Sequence, residues 1–135
     1  MQNSDGSGII KQRIANGEYS TKLSHQHYLK HIEGTAKYNE YLEQRLKKGK
    51  TPQDRLTISE SEAQEIINKY AGYAGTGDPH IDSKGNVNHV EYVDCGYDIG
   101  EYYENGAYYK TSRAAIHYSK KNAHVVPVKK KVRKQ

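Results

Sequence analysis

The sequence predicts an α+β domain, with N-terminal helices packed on one face of a C-terminal antiparallel β-sheet. Three observations carry this prediction. Apolar residues recur at helical spacing between residues 24 and 70, behind capping residues. Three pairs of short runs flank turn residues between 80 and 128. The helices come first and an antiparallel meander follows.

Ser24 is an N-cap candidate for a short helix reaching Glu33, and Gly34-Thr35 ends it and caps the next. In that second helix Tyr38, Tyr41, Leu42 and Leu46 share a face. Gly49 is placed to end it, with Pro52 beyond. Ser59 and Glu62 form a capping box, and the helix they open aligns Ala63, Ile66, Ile67 and Tyr70. The run AGYAGTGDP reads as a loop. Three hairpin signals follow. His80–Ser83 and Val87–Cys95 flank Lys84-Gly85-Asn86, and Asp98–Tyr103 and Ala107–Lys110 flank Glu104-Asn105-Gly106. Ala115–Ser119 and Ala123–Val128 flank Lys120-Lys121-Asn122. Asn105-Gly106 suits a type I′ turn, which needs two positive φ angles.

At 135 residues one domain is expected. Residues 9–128 read as that domain, 1–8 as a linker-like start and 129–135 as a basic tail. The core is thin: ten Ile, five Leu and seven Val, with no Phe or Trp. The 13 Tyr must therefore supply large apolar bodies, each needing a hydroxyl partner if buried. The single Cys95 excludes an internal disulfide and a multi-cysteine zinc site, and reads as a small buried hydrophobe. No apolar run approaches the roughly 18 residues of a membrane span. The start, MQNSDGSG, has neither the basic nor the apolar region of a signal peptide, and reads as the junction to a longer protein. Charge is uneven. Residues 22–50 hold seven basic residues against three acidic, and 111–128 hold three basic and none acidic. Between them, 51–110 hold eleven acidic against four basic. Two basic segments flanking an acidic middle can fold into a positive cleft.

Both basic segments carry histidines. In HQHYLKHIEGT, helical geometry puts His25 on the apolar face with Leu29 and Ile32, where it is expected to pack. His27 and His31 fall within about 40° of each other on another face. His31 borders the apolar side, and His27 reads as a solvated neighbour. An i, i+4 histidine pair is zinc spacing, but the hydrolytic motif H-E-x-x-H needs Glu where this chain has Tyr28. No metal is therefore expected. In KTSRAAIHYSKKNAHVVP, His117 and His124 become neighbours if their strands form a hairpin.

The runs EYSTKLSHQHYLKHIEGT, TISESEAQEII and KTSRAAIHYSKKNAHVVPV together resemble the bacterial toxin 50 domain, across nearly all of residues 9–128. That family is a C-terminal toxin module of phage head-morphogenesis (MuF-type) and other bacterial proteins. It is predicted to be a ribonuclease of the barnase–EndoU–colicin–RelE fold group. The resemblance implies a module of a larger secreted or phage-borne protein that acts in the bacterial cytoplasm. It implies a cognate immunity protein, acidic if it plugs a basic cleft. It also marks Lys22, His31, Thr111, Arg113, His117 and His124 as site residues. At 122 the family commonly has Gly, whereas this chain has Asn122, which also tolerates a left-handed turn.

These residues can carry RNA transesterification, in which the 2′-OH attacks its own phosphodiester. One group takes the 2′ proton and another protonates the leaving 5′ oxygen, each contributing about 10²–10⁴-fold. Histidine suits both tasks near neutral pH. The expectation is an acid/base pair of His31 with His117 or His124. Lys22 and Arg113 would hold the phosphate, with Thr111 orienting it. The enzyme would act as a monomer without cofactor. A DNase toxin and a non-catalytic phage module are the alternatives.

Overall fold

The computed structural model describes residues 6–72 and 78–130. Part of the AGYAGTGDP loop and most of the basic tail lie outside these residues.

Within the described residues four helices and seven strands follow one another: α1 Gly6–Ala15, α2 His25–Lys30, α3 Ala36–Lys47, β1 Arg55–Leu56 and α4 Glu60–Tyr70. The remaining strands are β2 Asp78–Ile81, β3 Val87–Asp94, β4 Gly100–Glu104, β5 Ala107–Thr111, β6 Arg113–Tyr118 and β7 Ala123–Pro127. The α+β class and the helix-then-strand order are as the sequence predicts. So are the caps. Ser24 Oγ accepts from the His27 amide, Thr35 Oγ1 from the Tyr38 amide, and the Ser59–Glu62 box closes in both directions. No sequence pattern pointed to α1, yet its Ile10 is wholly buried.

The strands form two antiparallel sheets rather than one, ordered β1-β4-β5 and β2-β3-β6-β7. The middle hairpin leaves the plane because β3 pairs past it with β6, from Val90↔His117 to Asp94↔Arg113. The chain bends out after β3 and returns at Ser112. That corner is held by the Cys95 amide on the Ser112 carbonyl (2.8 Å) and the Ile99 amide on the Thr111 carbonyl (2.9 Å). The detached β4–β5 hairpin then pairs with β1. Its turn residues Asn105 and Gly106 both have positive φ (51° and 86°), as a type I′ turn requires. At Gly100 a Cβ would lie 2.2 Å from the Arg55 carbonyl oxygen, so only glycine lets β4 approach β1 this closely.

One face of β6–β7 (Ile116, Val125) joins the core with Ile66 and Ile67 of α4, Tyr28 of α2 and Ile10 of α1. The buried tyrosines find the partners that burial demands. Tyr28 donates to the Ile58 carbonyl at 2.7 Å, and Tyr38 accepts from Arg55 Nε at 2.9 Å. Tyr118 donates to the buried Glu91 carboxylate at 2.9 Å. Cys95 is buried in the same core.

Candidate functional site

The cleft lies against the other face of β6–β7. Alternation along a strand puts neighbouring residues on opposite faces, so with Ile116 and Val125 inward, His117 and His124 face away from the core. They are direct cross-strand partners. Their rings stack with centroids 4.7 Å apart and planes 9° from parallel.

A short backbone ladder docks α2 beside them. The Ala123 amide donates to the Lys22 carbonyl and the Ser24 amide to the Ala123 carbonyl, both at 2.8 Å. Ser24, fixed to the edge of β7, starts the helix, and His27 follows three residues later. Its ring lies on His124, centroids 4.3 Å apart and planes 6° from parallel. His27, read from the sequence as solvated, thus becomes one end of a three-ring stack. His89 approaches the other end, tilted, 6.1 Å from His117.

His31 sits just after α2, as its C-cap, and is 7% exposed. Its Nδ1 lies 2.7 Å from the backbone carbonyl of Asp54. A carbonyl can only accept, so Nδ1 carries the proton and the neutral ring keeps its lone pair on Nε2. The sequence predicts a helix that reaches Glu33. It stops at Lys30, and exposed Glu33 is ion-paired to Arg55 at 3.1 Å.

These side chains line a cleft of about 490 Å³ with Lys30, Tyr41, Arg45, Gln53, Asp54, Tyr103 and Val126. The cations are braced. Lys30 Nζ lies 5.1 Å from the Tyr41 ring centroid and the Arg45 guanidinium 5.6 Å. Arg45 also donates to the Thr51 carbonyl at 2.6 Å. Buried Gln53 donates to the Lys30 and Tyr38 carbonyls at 3.1 and 2.9 Å, tying α2 to α3 under the cleft floor. Asp54 Oδ1 accepts from the Tyr103 amide at 2.9 Å.

Burial dominates the titration of every shifted group here. It lowers His117 to about 4 and His124 to about 3, assisted by neighbouring imidazoles. It lowers His27 and His31 below 6.5 as well; for His31 the bond to Asp54 opposes it without cancelling it. Burial also raises the Asp54 carboxyl above its usual 3.8. At neutral pH the cleft therefore presents uncharged imidazoles beside two fixed cations. Among the described residues, no group of three or more His, Cys, Asp or Glu side chains is arranged to hold a metal ion.

Of the six residues singled out in the sequence, the structure gathers His31, His117 and His124 and leaves three elsewhere. Lys22 lines a separate open hollow beside Glu60, Gln64 and Glu65. Its backbone bonds to β7, which turns the side chain's neighbourhood toward α4. Thr111 is 1% exposed and donates to the Val128 carbonyl at 2.7 Å, stabilising the corner between the two sheets. Arg113 stands at the far end of β6, its guanidinium 4.4 Å from the Tyr92 ring centroid. His25 does not pack. As the first residue of α2 it is 57% exposed in its side chain and pairs with Glu60 at 2.9 Å. Sequence reasoning missed Lys30, Arg45 and Asp54. Lys30 lies three residues after His27, a helical spacing that could have marked it. Arg45 and Asp54 left no local signal.

A family model described as Bacterial toxin 50 matches residues 23–127. No curated protein matches the chain.

Proposed function

This chain belongs to the bacterial toxin 50 family and is a bacterial toxin domain; from that premise we infer that it is a metal-independent endoribonuclease. The observation that carries this reading is the cleft itself. It joins an imidazole whose tautomer is fixed to a cross-strand imidazole pair and two braced cations.

RNA brings its own nucleophile. Lys30 and Arg45 take the scissile phosphate, Arg45 offering the planar grip suited to phosphate oxygens. His31 Nε2 accepts the 2′-OH proton as the oxygen attacks phosphorus. His117 or His124 donates a proton to the departing 5′ oxygen, so the P–O5′ bond breaks to leave a 2′,3′-cyclic phosphate and a 5′-hydroxyl. The acid must first be charged. A phosphate held beside the stack supplies the negative charge that raises the pKa of the nearest ring. Positive charge fixed beforehand at the phosphate stabilises the crowded dianionic transition state.

The deciding experiment incubates purified protein with total RNA and with plasmid DNA, in EDTA. Cleavage of RNA alone is expected, and His31→Ala is expected to lose about 10²–10⁴-fold while keeping its fold. Loss of activity in EDTA with recovery on zinc overturns the metal-free mechanism. DNA cleavage overturns the substrate, and no cleavage of either polymer leaves a non-catalytic module. Toxin domains of this kind are generally associated with immunity proteins. The partner proposed here is an acidic protein that covers Lys30 and Arg45.

A further inference from the structure

We propose that the histidine stack is a partition which single-stranded RNA straddles, with one nucleoside of the cleaved step in the main cleft and its neighbour in a second hollow beyond the rings. This proposal rests on the ribonuclease reading above and specifies the form of RNA that the site accepts.

The second hollow is about 210 Å³. It shares His27, His117 and His124 with the main cleft and adds His89, Tyr118, Ser119 and Asn122. The same three rings therefore wall two spaces, one on each side. The spaces differ in chemistry. The main cleft has Lys30 and Arg45, so the phosphate belongs there. Among the described residues, no lysine or arginine lines the second hollow. It offers instead the exposed His89 ring and the Asn122 carboxamide, whose Oδ1 accepts from Ser119 at 3.3 Å. The Asn122 NH₂ donates to no protein acceptor among the described residues. A small neutral hollow with a free amide donor at its rim suits the edge of a nucleobase, which carries ring-nitrogen and carbonyl acceptors.

The partition has a steric consequence. Successive bases in a helical strand lie about 3.4 Å apart. That is the thickness of one aromatic ring, so no ring fits between stacked neighbours without parting them. Bases on either side of the stack must be unstacked, and a step held in a duplex cannot reach this arrangement. The rings cover one another's faces, so the parted bases meet the partition at the imidazole edges, whose nitrogens can hydrogen-bond to them.

Two measurements test this. In the first, a dinucleoside monophosphate with a 2′-O-methyl group, which cannot be cleaved, is titrated into the intact protein while the imidazole ring signals are followed by NMR. Signals of both His31 and His89 are expected to shift at the same saturation. If His31 shifts and His89 does not, the second hollow is not a subsite and the ribonuclease reading stands. If neither shifts, both fall. In the second, one dinucleotide step is placed in the loop or in the stem of otherwise matched RNA hairpins, and cut ends are sequenced. Cleavage in the loop alone is expected, and equal cleavage in the stem overturns the partition. Asn122→Asp keeps the shape and loses the NH₂ donor. It is expected to change base preference on one side of the cut by about three- to tenfold and leave the other side unchanged. An unchanged preference on both sides removes Asn122 from base recognition and overturns the assigned chemistry of the hollow.

Discussion

Lowering the pH from 7.5 to 5 should destabilise this fold by about 2 kcal/mol, mostly through two histidines, and His117→Gln should remove close to half of that dependence. The folded state holds His117 at about 4 and His124 at about 3, whereas free imidazole titrates at 6.5. Both rings are neutral in the fold at neutral pH. As the pH falls below 6.5, the unfolded chain takes up protons that the folded chain refuses. Stability is therefore full above about 6.5 and is lost until the folded pKa values are reached. At pH 5 the unfolded chain has gained a proton at each ring and the fold at neither, a difference of about 2 kcal/mol per ring. Water reaching an open cleft screens the effect, and about half is kept, roughly 2 kcal/mol for the pair. His27 and His31 act in the same direction. Asp54, whose carboxyl is raised, acts in the other, since the fold takes its proton first. Comparing the wild type with His117→Gln cancels these shared contributions. Urea melts followed by circular dichroism read the result, with an expected midpoint shift of about 1 M between the two pH values. A midpoint independent of pH, or a His117→Gln protein with the full wild-type dependence, refutes the reasoning.

The other expectations are shorter. In an RNA cleavage assay, Lys30→Ala and Arg45→Ala should each lower kcat/KM by about ten- to a hundredfold and weaken its salt dependence. Lys22→Ala and Arg113→Ala should stay close to wild type, since neither lines the cleft. Ile10→Ala should cost about 2–5 kcal/mol in a urea melt, because Ile10 is wholly buried although it precedes the matched residues 23–127. Gly100→Ala should destabilise as strongly or prevent folding. Its new methyl group meets a backbone carbonyl, which cannot swing aside.

The sequence made the local structure readable wherever one short stretch settles the outcome. Ser24, Thr35 and the Ser59–Glu62 box mark helix starts with their own side chains, and Asn105-Gly106 encodes its turn through φ. His117 and His124 were readable as neighbours because a short turn joins their strands. What could not be read depends on contacts distant in sequence. That β3 pairs with β6 past an intervening hairpin depends on how two sheets pack, and no periodicity records it. Arg45 enters the cleft through the angle of α3 against α2, and Asp54 through a loop whose carbonyl meets His31. His25 was misplaced because it is the first residue of α2 and its ring turns to Glu60, a partner 35 residues away that helical spacing does not record. Lys22 and Arg113 are close in sequence to site residues. Lys22 lies five residues before His27 and Arg113 four before His117, and at about 3.3 Å per residue an extended segment carries a side chain well outside the cleft over that distance.

The cross-strand pairing of His117 with His124 makes the β6–β7 turn a parity device. Side chains alternate across a sheet with a period of two. Inserting or deleting one residue between Ser119 and Asn122 would turn β7 over, sending His124 into the core and Val125 into the cleft, unless a bulge absorbed the change. A two-residue change would keep every side chain on its face and lengthen only the loop. Relatives of this domain should therefore vary in that turn by even steps. An odd step should come with a compensating bulge or with the loss of the second histidine.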